Sequence, residues 1–401
     1  MKKLFLLFVL TVVLFNLSSY AQERNLKAGG YARVWSLGNN PYVADPELIK
    51  YNPAYAAQYS NMIWGDLGSA GNTDQFAAFN FYINDQITVG AMLTRDNLAG
   101  LHTGISTLDP GGVISAVNSY VGAGKVVGLN NNLELFGSYK MGDMVIGLGV
   151  AYASTGKEDD PGTGVSTGSA SQLGLNAGVL MSLPSNLKLD AGLTFMTVSG
   201  LYEPNGGKKT EISNSILSIY AKVPYPMTSK MSLVPLVRFS NVGGSWDING
   251  KSGDVPGMTE LYFGLGMKYK GDDFCLIGGP AFIYESKSET KDYNGVADID
   301  ESAMKFPVWN LGAEWYATDW LIARCGYSAE THSMSKTTKL TPEQKQSETM
   351  FVPGSATVGL GLRFGTFALD GVVSANTIRA GLGNLSNNAD TFSFVSASYA
   401  F

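Results

Sequence analysis

Apolar and polar residues alternate along segments of about ten residues through most of the chain. Apolar side chains occupy every second position of residues 187–195, 261–269, 309–315 and 358–364, with glycine or more polar residues between them. Successive side chains of a strand point to opposite faces of the sheet. This period of two therefore predicts β-strands with one apolar face and one polar or small face.

Two all-β architectures fit this pattern: a soluble sandwich and a transmembrane barrel whose apolar face meets lipid. The predicted segments are long enough for the 9–11 residues of a spanning strand. Short turns are predicted at residues 84–86, 141–143 and 270–272. They alternate with longer polar connections, from Ser154 to Gly168, from Ser286 to Ser302 and from Glu330 to Pro353. Short turns at one end and long loops at the other are typical of outer-membrane barrels. We therefore expect a transmembrane antiparallel β-barrel.

Sixteen candidate strands can be placed between residues 61 and 401. Bacterial single-chain barrels have even strand numbers, so we expect 14 or 16 strands. The chain ends in a segment, Thr391 to Phe401, that alternates and closes on an aromatic residue. Such an end is similar to the signal that outer-membrane proteins present to the barrel assembly machinery. We expect that machinery as a partner through Phe401.

The N-terminus has the pattern of a secretory signal peptide. Lys2 and Lys3 precede an apolar run from Leu4 to Phe15, and Ser19-Tyr20-Ala21 fits a small-x-small cleavage site. The run is too short for a membrane-spanning helix, which needs about 20 residues. We expect residues 1–21 to be removed near Ala21 and the mature protein to reach the outer membrane.

Residues 22–60 do not alternate, and three prolines exclude a central strand there. Asp45 and Pro46 fit the N-cap and first position of a short helix over Pro46–Lys50. A segment of this kind ahead of a wide barrel predicts a hatch that fills the lumen. A periplasmic tail is the alternative. The predicted organisation is thus a signal peptide (1–21), a hatch (22–60) and a barrel (61–401).

Composition excludes several classes of function. The net charge is −6 and the sequence pI is about 5.1, so the chain lacks the basic surface expected of a nucleic-acid partner. Hydrophobic residues reach 45% and charged residues only 15%, which argues against disorder. Neither His102 nor His332 lies in a recognisable catalytic motif, and Cys275 and Cys325 lie on candidate strands separated by another strand. We expect no enzyme activity, no cofactor, no metal site and no disulfide.

Charged residues on predicted strands are expected to face the lumen, because an Arg or Lys on the lipid face costs about 2–4 kcal/mol at the bilayer midplane. The candidates that face the lumen are Lys188, Asp190, Arg238, Glu260, Lys268, Glu314 and Arg363. They can pair with each other or with the hatch. Alternatively, Arg238 or Arg363 can bind a ligand carboxylate. Alternating glycines, such as Gly147 and Gly264, leave space inside for the hatch, a ligand or both.

The order of motifs resembles the FadL-type long-chain fatty-acid transporter family of outer-membrane proteins. A Ser-Leu-Gly turn, an acidic stretch and Asn52-Pro53-Ala54 precede a first hairpin, and residues 79–91 then form a strand, an Asn-Asp-Gln turn and a strand. The resemblance covers roughly residues 36–99. It implies a 14-stranded barrel with an N-terminal hatch that ends at Asn52, Pro53 and Ala54, and hydrophobic substrates that leave sideways through the wall.

The expected function is passive transport of a hydrophobic small molecule, fatty-acid-like or aromatic, with outer-membrane lipids around the barrel. The family also includes PorV-type proteins, so a shuttle or docking role in type IX secretion is the first alternative. A general porin is the second. The glycine-rich connection from Arg95 to Asn130 predicts no strongly amphipathic pair of helices for substrate capture.

Overall fold

The strands of the chain form one antiparallel sheet that closes on itself as a barrel. A computed structural model describes residues 28–67, 76–94, 104–105, 107–130, 132–184, 187–295, 297–373 and 392–401. The predicted signal peptide and His102 lie outside these residues. The sheet closes because β1 pairs with β2 on one side and with β18, the last strand, on the other.

The strands and helices have the following bounds. The strands are β1 (Met62–Asp66), β2 (Phe76–Tyr82), β3 (Ile87–Thr94), β4 (Asn132–Met141), β5 (Met144–Asp159), β6 (Ser166–Ser182), β7 (Lys188–Glu203), β8 (Thr210–Lys222), β9 (Tyr225–Pro226), β10 (Met231–Ile248), β11 (Lys251–Asp254), β12 (Gly257–Lys270), β13 (Phe274–Glu289), β14 (Ile299–Tyr316), β15 (Leu321–Thr338), β16 (Gln344–Phe364), β17 (Phe367–Val373) and β18 (Phe392–Ala400). The α-helices are α1 (Tyr31–Ser36), α2 (Val113–Val121) and α3 (Lys291–Asn294), and 3-10 helices span Pro46–Lys50 and Pro53–Ala57.

The barrel wall has sixteen strands within the described residues, at the upper end of the expected range. The two-residue strand β9 continues β8 along β10, and the short β11 likewise continues β12 along β10, so neither adds a strand to the wall. Every neighbouring pair is antiparallel. The prediction of an all-β barrel from period-two alternation is therefore confirmed.

Alternate residues of each strand face inward and outward, as the pattern predicts. On β7, Asp190, Thr194 and Met196 are buried, whereas Leu193 and Phe195 are each 42% exposed on the outer face. Large apolar side chains stay exposed around the whole wall, which a soluble protein would avoid and a lipid-facing band requires. Among the described residues, none of the helices has the length and apolar character needed to cross a bilayer.

The connections expected as long polar loops are largely strand. β5 and β6 remain paired from Met144↔Met181 to Asp159↔Ser166, and β15 and β16 remain paired out to Thr338↔Gln344. The polar composition misled the prediction because a ladder that extends beyond the lipid has water on its outer face, where polar side chains are stable. These hairpins rise above the apolar band at one end of the barrel, here called the long-hairpin end; the opposite end is the short-turn end.

Residues 28–60, here called the N-terminal segment, lie inside the barrel. The segment consists of α1 and the two 3-10 helices joined by tight turns. The side chain of Asp45 accepts a hydrogen bond from the backbone N–H of Glu47, and Pro46 opens the 3-10 helix Pro46–Lys50. The predicted helix start is therefore confirmed, in 3-10 rather than α form.

Residues 104–130, here called the outer segment, contain a helix where no strongly amphipathic pair was expected. α2 buries Val113, Ile114 and Val117 and exposes the opposite side, so one amphipathic helix is present in the described part of the segment. Gly112 and Gly122 flank it at positive φ values of 67° and 106°. With nine residues between two glycines, its apolar stripe is too short to stand out in the sequence.

Candidate functional site in the barrel lumen

The Asn52-Pro53-Ala54 motif lies against glycines on the inner face of the wall. Gly147 on β5 and Gly178 on β6 are directly opposite each other in the ladder. A Cβ atom at Gly147 would overlap the backbone of Pro53 and Ala54, and one at Gly178 would overlap the side chain of Asn52. Glycine is required here because the main chain of the N-terminal segment touches the wall directly.

Asp190 joins this motif to the wall. Its carboxylate accepts hydrogen bonds from Asn52 Nδ2 at 2.9 Å and from Tyr55 Oη at 2.6 Å. It also accepts a hydrogen bond from Tyr220 Oη at 2.7 Å and lies 3.0 Å from the ammonium of Lys222. Asp190 is only 3% exposed, so these four partners replace the water that the carboxylate has lost.

Asn52 uses both ends of its amide. Its Oδ1 accepts a hydrogen bond from the backbone N–H of Ala54 at 3.0 Å and thereby caps the 3-10 helix Pro53–Ala57. Its Nδ2 also lies 3.3 Å from the carbonyl of Val179 and 3.2 Å from that of Ala191, on two neighbouring strands. One side chain thus shapes the N-terminal segment and ties it to β6 and β7.

The region where the Asn52-Pro53-Ala54 motif contacts Gly147 and Gly178 is here called a seat. A second seat holds the Ser36-Leu37-Gly38 turn against β14 to β16. Gly326 faces the backbone of this turn so closely that a Cβ atom there would overlap Gly38, and one at Gly359 would overlap Ser36. Thr357 donates a hydrogen bond of 3.0 Å to the carbonyl of Ser36. Two of the stretches that carry the family resemblance therefore touch glycines on the wall.

A chain of alternating charges links the N-terminal segment to the wall beside this second seat. It runs in the order Asp45, Arg33, Glu314, Arg324, Asp370 and Arg363. Arg33 donates to both oxygens of Glu314 at 2.9 Å, and Arg324 bridges Glu314 and Asp370 at 2.8 and 2.6 Å. Three cations balance three anions, none more than 16% exposed, so each buried charge has an opposite partner.

Of the remaining predicted lumen residues, Lys188 is exposed at the start of β7. The others lie on the inner face of β10 and β12. Arg238 donates to Glu260 from Nε at 3.1 Å and from Nη2 at 2.9 Å, and its guanidinium lies 4.6 Å from the ring centre of Tyr262. Lys268 is half-buried further along β12 and forms no ion pair with another described residue. Arg238 and Arg363, considered as ligand-carboxylate binders, both have carboxylates of the protein as partners.

The outer segment covers an apolar part of the inner wall in the long-hairpin half of the lumen. The buried residues of this cluster are Leu108, Val113, Ile114, Val117, Val126 and Leu129 from the segment, and Ala153, Ala170, Val198, Ile212, Trp246 and Val255 from the wall side. Asn118 holds the segment in shape, because its side chain donates to the carbonyl of Val126 at 2.8 Å and accepts from its N–H at 2.9 Å.

Apolar contacts continue from this cluster towards the N-terminal segment. Ile105 packs with Met196, Ile216 and Val242 on the inner wall. The adjacent Gly104 lies against the backbone of Lys50, two residues before Asn52. The apolar lining therefore extends from α2 to the edge of the Asn52-Pro53-Ala54 seat.

The lipid side of the wall has a large apolar recess behind that seat. It spans the outer faces of β2 to β7 and has a volume of about 890 Å³. Its rim carries Phe79, Leu135, Leu148 and Phe195, and its floor includes Gly137. The floor residues are small, and the Asn52-Pro53-Ala54 motif lies on the inner side of β5 and β6, two of the strands that form the recess.

Sequence reasoning found Glu314 and Arg363 but missed Arg33, Arg324 and Asp370, which complete their network. Arg324 and Asp370 both occupy inward positions of their strands, so period two did contain a signal. It was hidden because their neighbours on the same face, Ile322 and Ala368 among them, are apolar. No group of three or more metal-ligating side chains occurs in the described part of the chain.

Comparisons with known proteins gave weak matches to solved structures alone. No protein-family model matches the sequence, and neither does any curated protein. The toluene transporter TodX of Pseudomonas putida is 12% identical, with 94% of this chain and 100% of TodX covered and a TM-score of 0.40. The FrpB iron transporter of Neisseria meningitidis is 10% identical, with 79% and 56% covered and a TM-score of 0.45.

The outer membrane transporter YddB of Escherichia coli is 9% identical, with 79% and 60% covered and a TM-score of 0.38. This chain thus spans little more than half the length of FrpB and YddB. At such identities the strand pairing and the burial described above, rather than these similarities, identify the chain as a plugged transmembrane β-barrel of the outer-membrane type.

Proposed function

We propose that this protein carries a hydrophobic small molecule passively across the outer membrane. The observation that carries the proposal is the apolar inner wall in the long-hairpin half of the lumen, where a porin would have polar side chains. One amphipathic helix, α2, covers this wall. A displaced α2 would expose an apolar surface of the kind that binds fatty-acid-like or aromatic molecules.

The proposed route follows the apolar lining. The ligand enters beneath α2, moves past Ile105 and reaches the hatch near Lys50 and Asn52. A shift of the Asn52-Pro53-Ala54 seat then releases it, and the apolar 890 Å³ recess on the outer side of the same strands supports a sideways exit into lipid. In this scheme Asn52 and Pro53 hold the closed hatch, and the charges Arg238, Glu260, Glu314 and Arg363 fix the barrel around it.

The test has two parts. Mass spectrometry of small molecules extracted from the detergent-purified, folded barrel should find one enriched, stoichiometric hydrophobic compound. Cells that carry Asn52→Ala should take up less labelled oleate or toluene than wild-type cells while the barrel still folds. Asn84→Ala, in an exposed turn at the short-turn end, is the matched control and should leave uptake unchanged. Extracts with bulk membrane lipid alone, or normal uptake by Asn52→Ala, would contradict the proposal.

A docking role of the PorV kind is the second candidate, favoured by the paired hairpins that rise above the apolar band. Met334, Met350 and Phe351 are 44%, 38% and 62% exposed on β15 and β16, well away from the lumen seats. Co-purification of a stoichiometric protein partner, in place of a small molecule, would favour this role. A general porin is disfavoured because the N-terminal and outer segments occupy the lumen.

We also propose that the chain reaches the outer membrane by the standard route. Cleavage near Ala21 would release the mature protein, and the C-terminal strand that ends in Phe401 would present it to the barrel assembly machinery. The exposed side chains of Tyr399 and Phe401, stacked 6.3 Å apart at the short-turn end, are compatible with such a signal.

A further inference from the structure

A row of hydroxyl and amide side chains crosses six strands on the outer face of the barrel. Directly paired positions on β10, β12, β13, β14, β15 and β16 are Asn241, Thr259, Ser286, Ser302, Ser335 and Ser347. Neighbouring strands lie about 4.8 Å apart, so the row offers uncharged polar groups at regular spacing over about 24 Å.

On β10, β12, β13 and β14 the row marks a sharp change in polarity. One pair of residues closer to the short-turn end, the outer face carries Phe239, Leu261, Tyr284 and Met304 in the same register. Tyr284 and Met304 are exposed, Phe239 and Leu261 are half-buried, and all four continue the apolar band that faces lipid. The hydroxyl row therefore lies where the outer wall leaves the hydrocarbon and enters the headgroup layer.

Five strands of this row, β10 and β12 to β15, line a polar recess of about 490 Å³. Tyr284, which is 38% exposed, forms its lower border towards the lipid band. Asp300 lies one pair above the row, opposite Ser288, and contacts the ammonium of Lys339 at 2.8 Å. Asn241 lies at the side and donates to the hydroxyl of Thr259 at 3.0 Å.

This set of groups matches the surface of a neutral sugar. A sugar ring offers hydroxyl groups that both donate and accept, and hydroxyl, amide and carboxylate side chains can satisfy both roles. The ring's C–H face can pack on an exposed aromatic ring such as that of Tyr284. A phosphate group fits less well, because the charged residues that line the recess already have partners: Lys287 pairs with Glu289, Asp300 with Lys339 and Glu301 with Lys336.

We infer that this recess binds the neutral saccharide headgroup of a glycolipid in the outer leaflet. The occupant is a lipid headgroup because the recess opens directly above the lipid-facing band, so a lipid whose tails lie on Phe239 and Met304 places its headgroup beside Ser286 and Ser302. The site is on the outer wall and is separate from the lumen and from the proposed transport.

The full-length protein in nanodiscs of phosphatidylcholine with a small fraction of digalactosyl diacylglycerol provides the test. Native mass spectrometry should show the glycolipid enriched around the wild-type barrel by about fivefold over phosphatidylcholine, as expected for one or two net hydrogen bonds. Tyr284→Ala and the double variant Ser286→Ala/Ser302→Ala should each lower the enrichment to about onefold. Both variants change outer-face residues that are exposed or half-buried, so the barrel should still fold.

Ser171→Ala/Ser199→Ala is the matched control, because these serines are paired on the outer face of β6 and β7, away from the recess. This variant should retain the wild-type enrichment. No enrichment around the wild-type barrel, or equal enrichment in the recess variants, would overturn the inference. Equal binding of free lactose, measured by competition, would also overturn it by showing a site for soluble sugar.

Discussion

Asn52 donates a hydrogen bond of 2.9 Å to the carboxylate of Asp190, which lies 138 residues further along the chain. The contact joins the end of the N-terminal segment to the inner face of β7. The same carboxylate accepts hydrogen bonds from Tyr55 and Tyr220, so residues of the segment and of the wall share one buried acceptor. This contact links the proposed hatch to the barrel through a buried carboxylate.

Asp190→Asn should loosen residues 46–60 while the barrel stays folded. The substitution leaves the buried ammonium of Lys222 without its counter-charge, and breaking a buried pair in this way costs about 3–5 kcal/mol. Hydrogen exchange followed by mass spectrometry should show faster exchange in peptides from the N-terminal segment. Asp143→Asn, in the exposed turn between β4 and β5, is the control. Unchanged exchange in Asp190→Asn would show that the Asp190 carboxylate does not hold the segment.

Gly147→Ala should displace the Asn52-Pro53-Ala54 seat. The new methyl group would overlap the backbone of Pro53 and Ala54, which cannot move aside without leaving the wall. Overpacking of this kind typically costs about 1–3 kcal/mol. Gly156→Ala, on the same strand but with open space at its Cβ position, is the matched control. Limited proteolysis should cut residues 46–60 faster in the first variant alone; equal rates would argue against a tight seat.

Glu314→Gln should destabilise the barrel more than Glu260→Gln. Glu314 accepts from both Arg33 and Arg324, whereas Glu260 has one cationic partner, Arg238. Loss of the Glu314 carboxylate leaves two buried guanidinium groups together and should lower the free energy of unfolding by about 3–5 kcal/mol. Loss of the Glu260 carboxylate should lower it by about 1–3 kcal/mol. Urea midpoints for unfolding from lipid vesicles measure the difference. Equal midpoints would mean that the second cationic partner of Glu314 adds nothing to the stability of the barrel.

The outer segment should be held more tightly at pH 5 than at pH 7. Burial raises the pKa of Asp109 to about 6 from its ordinary value near 3.8, against the opposing hydrogen bond from the N–H of Ile114. The folded segment then binds a proton more strongly than the opened one. Protonation of Asp109 therefore stabilises the folded segment by at most about 3 kcal/mol. This stabilisation is complete below about pH 4 and is lost as the pH rises through about 6.

Hydrogen exchange of α2, corrected for the intrinsic effect of pH on exchange, checks this dependence. Protection factors of wild-type α2 should fall between pH 5 and pH 7. In Asp109→Asn they should be the same at both values, since the amide does not titrate in this range. A wild-type α2 with equal protection at both pH values would contradict the raised pKa.

Local sequence rules were sufficient wherever one residue type determines one geometry. Asp45 and Pro46 predicted a helix start that the structure confirms, because capping and a fixed φ act within a few residues. The helix α2 was missed because two glycines limit it to nine residues. The strands above the lipid were missed as well, because polar composition does not distinguish a solvated ladder from a loop.

The sequence by itself determined the barrel, its closing strand and the direction of its charged side chains. The alternation of apolar and polar residues determines which side chains share a face, because successive side chains of a pleated strand point to opposite sides. Charged side chains point inward because contact with lipid on the outer face is unfavourable for them. The tertiary structure alone decided which charges meet. Arg33 and Glu314 are 281 positions apart, and their pairing depends on where α1 lies in the lumen and on the sheet register. Contacts across a closed barrel form between strands distant in the chain, so no local pattern can record them.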